Sequence, residues 1–246
     1  LVLAASSMAV SGSYIFYQTN VAHEFLSKEE MFDRQEQYEQ KFADFKGANI
    51  PTVTDIDVAV DIFPNEQRFV ANGSYSFENQ SASNIDKLLI SFVSSGKLTQ
   101  HLELAEATLI EYDDVFKQYI YQLNKPMLPG ETRSLIFDIA ITHSAFVELD
   151  GEHYVTENGS YIELEDVIPQ FGFDQRLVMS NEEEREKRGL PLELFQTPTQ
   201  ADQKVSDDWV NFETVVSTNG NQQVVAVGHL EKTWTENGSN YFHYKS

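Results

Sequence analysis

Six histidines, at positions 23, 101, 143, 153, 229 and 243, are the side chains best suited to metal ligation in a chain that has no cysteine. No two of them sit at the i, i+4 spacing that places a pair of ligands on one helix face. The stretch "HEFLS" begins at His23 as a zinc-binding H-E-x-x-H helix would, then puts Ser27 where the second histidine belongs. The sequence argues for no metal site of its own, and no cofactor is expected in this chain. Carboxylates are the other candidates. Glu163, Glu165 and Asp166 stand close together, and a glycosidase needs two carboxylates flanking the bond it cleaves. With 39 acidic residues against 17 basic ones, however, such clusters are mostly solvated surface. A G-x-S-x-G elbow, a glycine-rich phosphate loop and a basic patch with interleaved aromatics are all missing from the sequence. Asn72, Asn79, Asn158 and Asn237 each open an N-x-S sequence, and three of these are Asn-Gly-Ser. Turn or bulge chemistry explains those three more simply than glycan attachment.

The formal charge of -22 repels phosphate backbones and anionic headgroups, so nucleic acid is excluded as a partner. Without cysteine there is neither a disulfide framework nor thiolate chemistry. A hydrophobic content of 41% with 12% aromatics is more than a disordered acidic chain carries, and 246 residues are enough to bury a sizeable core.

The elements that must position any site fall into three stretches. Residues 1–19 open with "LVLAASSMAVSGSYIFY", which has no charged residue and reads either as a packing helix or as the end of a membrane span. Residues 20–50 form an amphipathic helix and linker. Ser27 and Glu30 have the spacing of a capping box, Leu26 and Met31 that of a hydrophobic staple, and Gly47 offers a left-handed stop. Met31, Tyr38, Phe42 and Phe45 are expected on its apolar stripe. Residues 51–246 read as a β domain. In "TDIDVAVDIFP", Ile56, Val58, Val60 and Ile62 alternate with polar or small residues, the pattern of a half-buried strand. "RFVANGSYSFEN" returns with Phe69, Ala71, Tyr75 and Phe77 on one side and Gly73 as a bulge or close-approach point. Further alternating runs follow, broken by a long excursion over about 144–208 that holds a short capped helix ending at Gly189 and an exposed connection at 194–208. Strands resume at "WVNFETVVST", turn at Asn219-Gly220, run through "QQVVAVGHLEKTWT" and turn again at Asn237-Gly238. The expected fold is mainly β: an antiparallel, saddle-like β-sandwich with an amphipathic N-terminal helix and a short helix in the mid-chain excursion.

The order of three stretches, "DIDVAVDIFPNEQRFVANGSYSFEN", "LNKPMLPGETRSLIFDIAI" and "DWVNFETVVSTNGNQQVVAVGHL", resembles the amino-terminal β domain of aminopeptidase N-type (gluzincin) zinc metallopeptidases. The flanks "YIFYQTNVAHEFLSKEEMFDRQEQYEQKFADFKG" and "EKTWTENGSNYFHYKS" look like membrane proteins in which such a region follows the spans of an ABC-type permease. The resemblance implies a noncatalytic domain that forms one wall of a peptide-binding cleft, membrane-anchored through its N-terminal segment and on the extracytoplasmic face. It implies a downstream catalytic-type domain of the same polypeptide as partner, with zinc held there, because the family's H-E-x-x-H helix and G-x-M-E-N strand do not occur in this chain. It also implies a carboxylate that holds the free amine of a peptide substrate. The corresponding stretch is "SYIELEDVIPQFGFD", leading to Pro169 and Asp174, where Glu163 or Glu165 would serve. It departs from the family pattern in lacking the loop's Gln and Arg and in its shorter spacing to the proline. The alternative is an extracytoplasmic binding or scaffolding β-sandwich that modulates a transporter without peptidase activity.

Overall fold

Strand β1 (Thr52–Phe63) buries Ile56, Val58 and Val60 and turns Asp55, Asp57 and Ala59 to solvent, as the period-2 pattern requires. The computed structural model describes residues 2–18, 21, 26–92, 97–142, 154–192, 210–219 and 222–246. His23, His143, His153, the connection at 194–208 and the Asn219-Gly220 turn fall wholly or partly outside them. β2 (Arg68–Glu78) pairs with β1 after a short turn in which Gln67 takes a left-handed φ of 49°. Gly73 is the close-approach point: a Cβ there would lie 2.7 Å from the Asp57 carbonyl and 2.8 Å from the Phe137 ring, and the ladder passes it without a bulge.

Then follow β3 (Ile85–Ser91), β4 (Lys97–Leu104), β5 (Ala107–Asp113), β6 (Gln118–Met127) and β7 (Thr132–Thr142). The excursion contains a small hairpin of β8 (Tyr154–Thr156) and β9 (Gly159–Tyr161), a one-turn helix α3 (Leu164–Val167), the short strand β10 (Gln170–Phe171) and helix α4 (Glu182–Arg188). The chain closes with β11 (Asn211–Asn219), β12 (His229–Glu236) and β13 (Ser239–Lys245). The helices before the strands are α1 (Val2–Tyr17) and α2 (Lys28–Lys41). The seven-stranded sheet runs β12-β13-β11-β1-β2-β7-β4 and the four-stranded sheet β10-β3-β6-β5. Leu88 and Ile90 of β3 and Tyr121 and Leu123 of β6 share one buried cluster with Val58, Phe69, Phe77 and Phe137 of the larger sheet. This is the expected mainly β sandwich.

It departs from a purely antiparallel arrangement at one ladder, because β1 and β11 pair in parallel from Asp55–Asn211 to Ile62–Thr218. A second departure lies at residues 222–227, expected within a strand. They join no sheet, and β12 starts only at His229, after Gly228 redirects the chain at φ 95°. Asn237 (φ 51°) and Gly238 (φ 86°) form the expected left-handed turn between β12 and β13. Asn72 lies at no turn or bulge but in mid-ladder, paired with Ala59 and Asp138. Asn79 is buried, its amide donating to the carbonyls of Ser83 (2.8 Å) and Met127 (2.9 Å).

Helix α2 covers the outer face of the smaller sheet. Its capping box forms: the Glu30 N–H donates to the Ser27 hydroxyl and the Ser27 N–H to the Glu30 carboxylate. Tyr38 and Phe42 pack on Leu89 and Val178, and the Asp174 N–H donates to the Tyr38 hydroxyl at 2.7 Å. Met31 is 45% exposed, and Phe32 is buried in its place. The cause is α4, whose Arg188 guanidinium lies 6.0 Å from the Phe32 ring and shifts the covered stripe at that end. Arg185 of α4 is fully buried and forms a two-pronged ion pair with Glu39 at 2.6 and 2.9 Å. It also donates to the carbonyls of Met179 and Pro191, while the Met179 N–H donates to Glu39, so both charges are satisfied. Helix α1 has no buried residue, and no helix among the described residues is long and apolar enough to cross a membrane.

Removing one member of a buried pair strands the other, so Arg185→Ala is expected to cost about 3–5 kcal/mol, read as a lower urea midpoint. The Lys41–Asp113 contact (2.6 Å) between α2 and β5 has a pH signature. Burial pushes the Asp113 carboxyl up, but the Lys41 ammonium and the Phe116 and Val115 N–H groups outweigh it and hold it below its ordinary value. Lys41 is raised by Asp113 and then Glu111. The contribution is present above the unfolded aspartate value of about 3.9 and lost as pH falls through the lower folded value. At the alkaline end it is lost as pH rises through the raised Lys41 value. The stability gap between the native chain and Asp113→Asn, followed by urea titration, is expected to hold at neutral pH and close in acid.

Candidate functional site

The smaller sheet does not cover the whole inner face of the larger one. Above β1 and β11 a groove of about 920 Å³ opens, bounded by the β8–β9 hairpin and α3 and by residues 222–227. Its floor is apolar because the inward positions of the two parallel strands, Val58, Val60, Phe212 and Val216, carry branched or aromatic side chains. Thr214 joins that floor, its hydroxyl donating to the Val58 carbonyl at 2.9 Å.

Gln222 ties the two sides together. Its amide donates to the carbonyls of Thr156 and Glu157, both at 3.1 Å, and its Oε1 accepts from the Thr218 hydroxyl at 3.1 Å. Two residues on, the Val224 carbonyl accepts from the Tyr244 hydroxyl at 2.6 Å. The Ser160 hydroxyl oxygen, in the groove lining, is buried and has no hydrogen-bond partner among the described residues.

Of the two carboxylates expected to hold an amine, Glu163 lies in the groove lining. It is half-buried at the start of α3, and its Oε1 accepts from the Tyr161 hydroxyl at 2.8 Å. Glu165 is placed on α3 by its backbone, and its side chain lies outside the described residues, as does that of Asp166. The other end of the same stretch serves packing. The Pro169 carbonyl accepts from the buried Tyr75 hydroxyl, and the Asp174 carboxylate is bound by the Arg176 guanidinium at 3.0 and 3.1 Å. The structure therefore places one carboxylate at a groove and another, eleven residues on, in a local pair with Arg176.

Sequence reasoning missed Gln222 and the unpaired segment it begins. The run "QQVVAV" has the composition of a strand, and nothing local marks it as lacking a ladder. A smaller cavity of about 400 Å³ is lined by Asp55, Asp57, Glu213 and Lys245. There Glu213 is held below its ordinary value by Lys245 and then His243, at 2.7 and 2.8 Å, so its charge is already answered. Among the described residues no group of three or more His, Asp or Glu could hold a metal ion. An apolar trough with carboxylates in its lining suits binding of apolar side chains beside a cationic group.

No protein-family model matches the chain, and no curated protein matches it. Among solved structures it is similar to an M1 zinc metallopeptidase from Deinococcus radiodurans, with 13% identity over 79% of this chain and 38% of that one, at a TM-score of 0.48. A mutant of an M1 zinc metallopeptidase from the same organism, bound to a Tyr-Ser-Ala substrate, gives 12% identity over 79% of this chain and 39% of that one, also at 0.48. A two-domain M1 zinc metallopeptidase mutant bound to L-arginine gives 13% identity, the same two coverages and a TM-score of 0.45. The chain thus spans about two-fifths of the length of the structures it matches.

Proposed function

We propose that this chain is the noncatalytic N-terminal β domain of a membrane-anchored, aminopeptidase-like protein and forms one wall of its peptide-binding cleft. The observation that carries the reading is the groove, which brings an apolar floor and Glu163 together in the stretch where the motif order calls for an amine-holding carboxylate. A fixed carboxylate attracts the terminal ammonium of a peptide and disfavours blocked or internal segments, the physical basis of an exopeptidase preference. In this reading zinc belongs to a downstream domain of the same polypeptide, and no chemical step is assigned to the residues described here.

The test is a polypeptide that runs on past Ser246 through a zinc-binding H-E-x-x-H helix. It is expected to bind zinc and release N-terminal residues, with Glu163→Gln raising KM for free-amine substrates about tenfold or more and leaving N-acetylated ones unchanged. A longer polypeptide that bound no zinc and cleaved no aminoacyl substrate would sink the peptidase part and leave a binding module.

Membrane anchorage on the extracytoplasmic face, next to an ABC-type permease, belongs to the same proposal. Its support is α1, 16 residues without a charge, whose large side chains Val2, Leu3, Met8, Val10 and Phe16 are all exposed. The full chain is expected to float with phosphatidylcholine vesicles, whereas a chain beginning at residue 20 stays in the dense fraction. Equal behaviour of the two would remove α1 as the anchor.

A further inference from the structure

Residues 222–227, Gln-Gln-Val-Val-Ala-Val, alternate half-buried and exposed positions along all six, the period of an extended chain. Among the described residues they belong to no sheet. Among the described residues, the Val224 carbonyl is the one backbone group of the segment with a hydrogen-bond partner. Gln222 and Tyr244 pin the segment in place, so it is held in position while its ladder groups stay unpaired. Val225 is 92% exposed and Val227 63%.

Native sheets protect open edges with charge, proline or a bulge. The outer strand β12 follows that rule with Glu231, Lys232 and Glu236, and a register shift between Leu230 and Lys232. The segment 222–227 has none of these defences. It borders the groove, whose floor is apolar and whose lining includes Glu157 and Glu163.

We infer that residues 222–227 are a docking edge that takes an extended peptide as an added β-strand, with apolar side chains entering the groove and a cationic group meeting Glu157 and Glu163. This rests on the reading of the groove as a peptide wall and specifies how the peptide is held. Main-chain bonds to the edge supply affinity that tolerates many sequences, and the trough selects every second side chain. Charge decides between occupants. A second copy of this chain brings another net -22 to the interface, whereas a peptide with a basic or free-amine end is drawn to it.

The probe is a short peptide of alternating valine and threonine with lysine at each end and a free amino terminus. Titrated into the full chain, it is expected to bind with a Kd on the order of tens of micromolar, in the range of modest peptide affinities. Hydrogen exchange at the amides of 223–227 should be fast in the free protein and slow in the complex. Val225→Pro or Ala226→Pro removes a donor on one or the other side of the segment, and one of the two is expected to weaken binding about tenfold or more. Because a proline can disturb the fold, the same peptide with alternate residues N-methylated provides a control that leaves the protein untouched, and it too should bind about tenfold more weakly. Binding that ignored the prolines and the N-methyl groups would overturn strand addition. If that binding still weakened in Glu163→Gln, the peptide wall would survive without it. Absence of binding at millimolar peptide, or a dimer in sedimentation that the peptide fails to dissociate, would also overturn the inference.

Discussion

The parallel pairing of β1 with β11 is the constraint from which the rest of the architecture follows. Strand β7 lies two positions away from β1 on its other side and points the same way as β11. A chain leaving β7 must therefore cross both intervening strands and return to the opposite end of the sheet before β11 can begin. No tight hairpin does this, and parallel neighbours are joined by a dozen or more residues. The stretch 143–210 is that crossover. Its described parts are built into the domain: β10 extends the smaller sheet, α4 docks on α2, and the β8–β9 hairpin with α3 walls the groove. The candidate site lies where the described parts of the crossover, the β8–β9 hairpin and α3, wall the face of β1 and β11 in place of a second sheet.

A crossover of that length has a conformational entropy cost that must be offset at fixed points. Arg185 and Glu39 supply one, joined by the Met179 N–H, the Met179 carbonyl and the Pro191 carbonyl. The hydroxyl of Tyr38 supplies another by accepting from the Asp174 N–H, and its ring lies 5.0 Å from that of Phe173. Both anchors lie on α2, so the helix before the β domain is a strut for the excursion as well as a lid on β3. The loop holding Glu163 is fixed at its far end by the Tyr75 hydroxyl on the Pro169 carbonyl. Packing at one end of a short stretch thus positions a carboxylate at the other.

Much of this was legible where the physics is local. Alternation in β1 and β2 announced which side chains face the core, because successive residues of a strand point to opposite faces. Ser27 with Glu30, Gly189 after α4 and Asn237-Gly238 announced their caps and turn through side-chain and left-handed backbone chemistry. What was not legible is the choice of partner. Composition says that β11 is a strand and leaves open which strand it joins or in which direction. Met31 and Phe32 differ in burial because of where α4 sits, a tertiary fact. The segment 222–227 shows the limit most clearly: valine and glutamine at period 2 specify an extended chain, and whether a neighbour supplies the ladder is decided elsewhere. Glu163 could be named from its stretch only together with Glu165, and it is the folded chain that shows Glu163 in the lining of a groove.

The distribution of cations gives the acidic excess its meaning. Arg188 is surrounded by Glu29, Asp33 and Glu36 at 2.6–2.8 Å, Lys41 by Glu111 and Asp113, and Glu213 by His243 and Lys245. These basic residues knit elements together locally and leave the surplus of carboxylates to the solvent-facing surface. A surface potential of that sign keeps copies of the chain apart, which matters for a molecule with an undefended apolar edge beside a trough. The same potential attracts cationic groups in general and is screened over about 8–10 Å at physiological salt. Negative charge therefore does for residues 222–227 at long range what lysine and glutamate do for β12 at contact. It discourages self-pairing while leaving the backbone edge open to a partner of opposite charge.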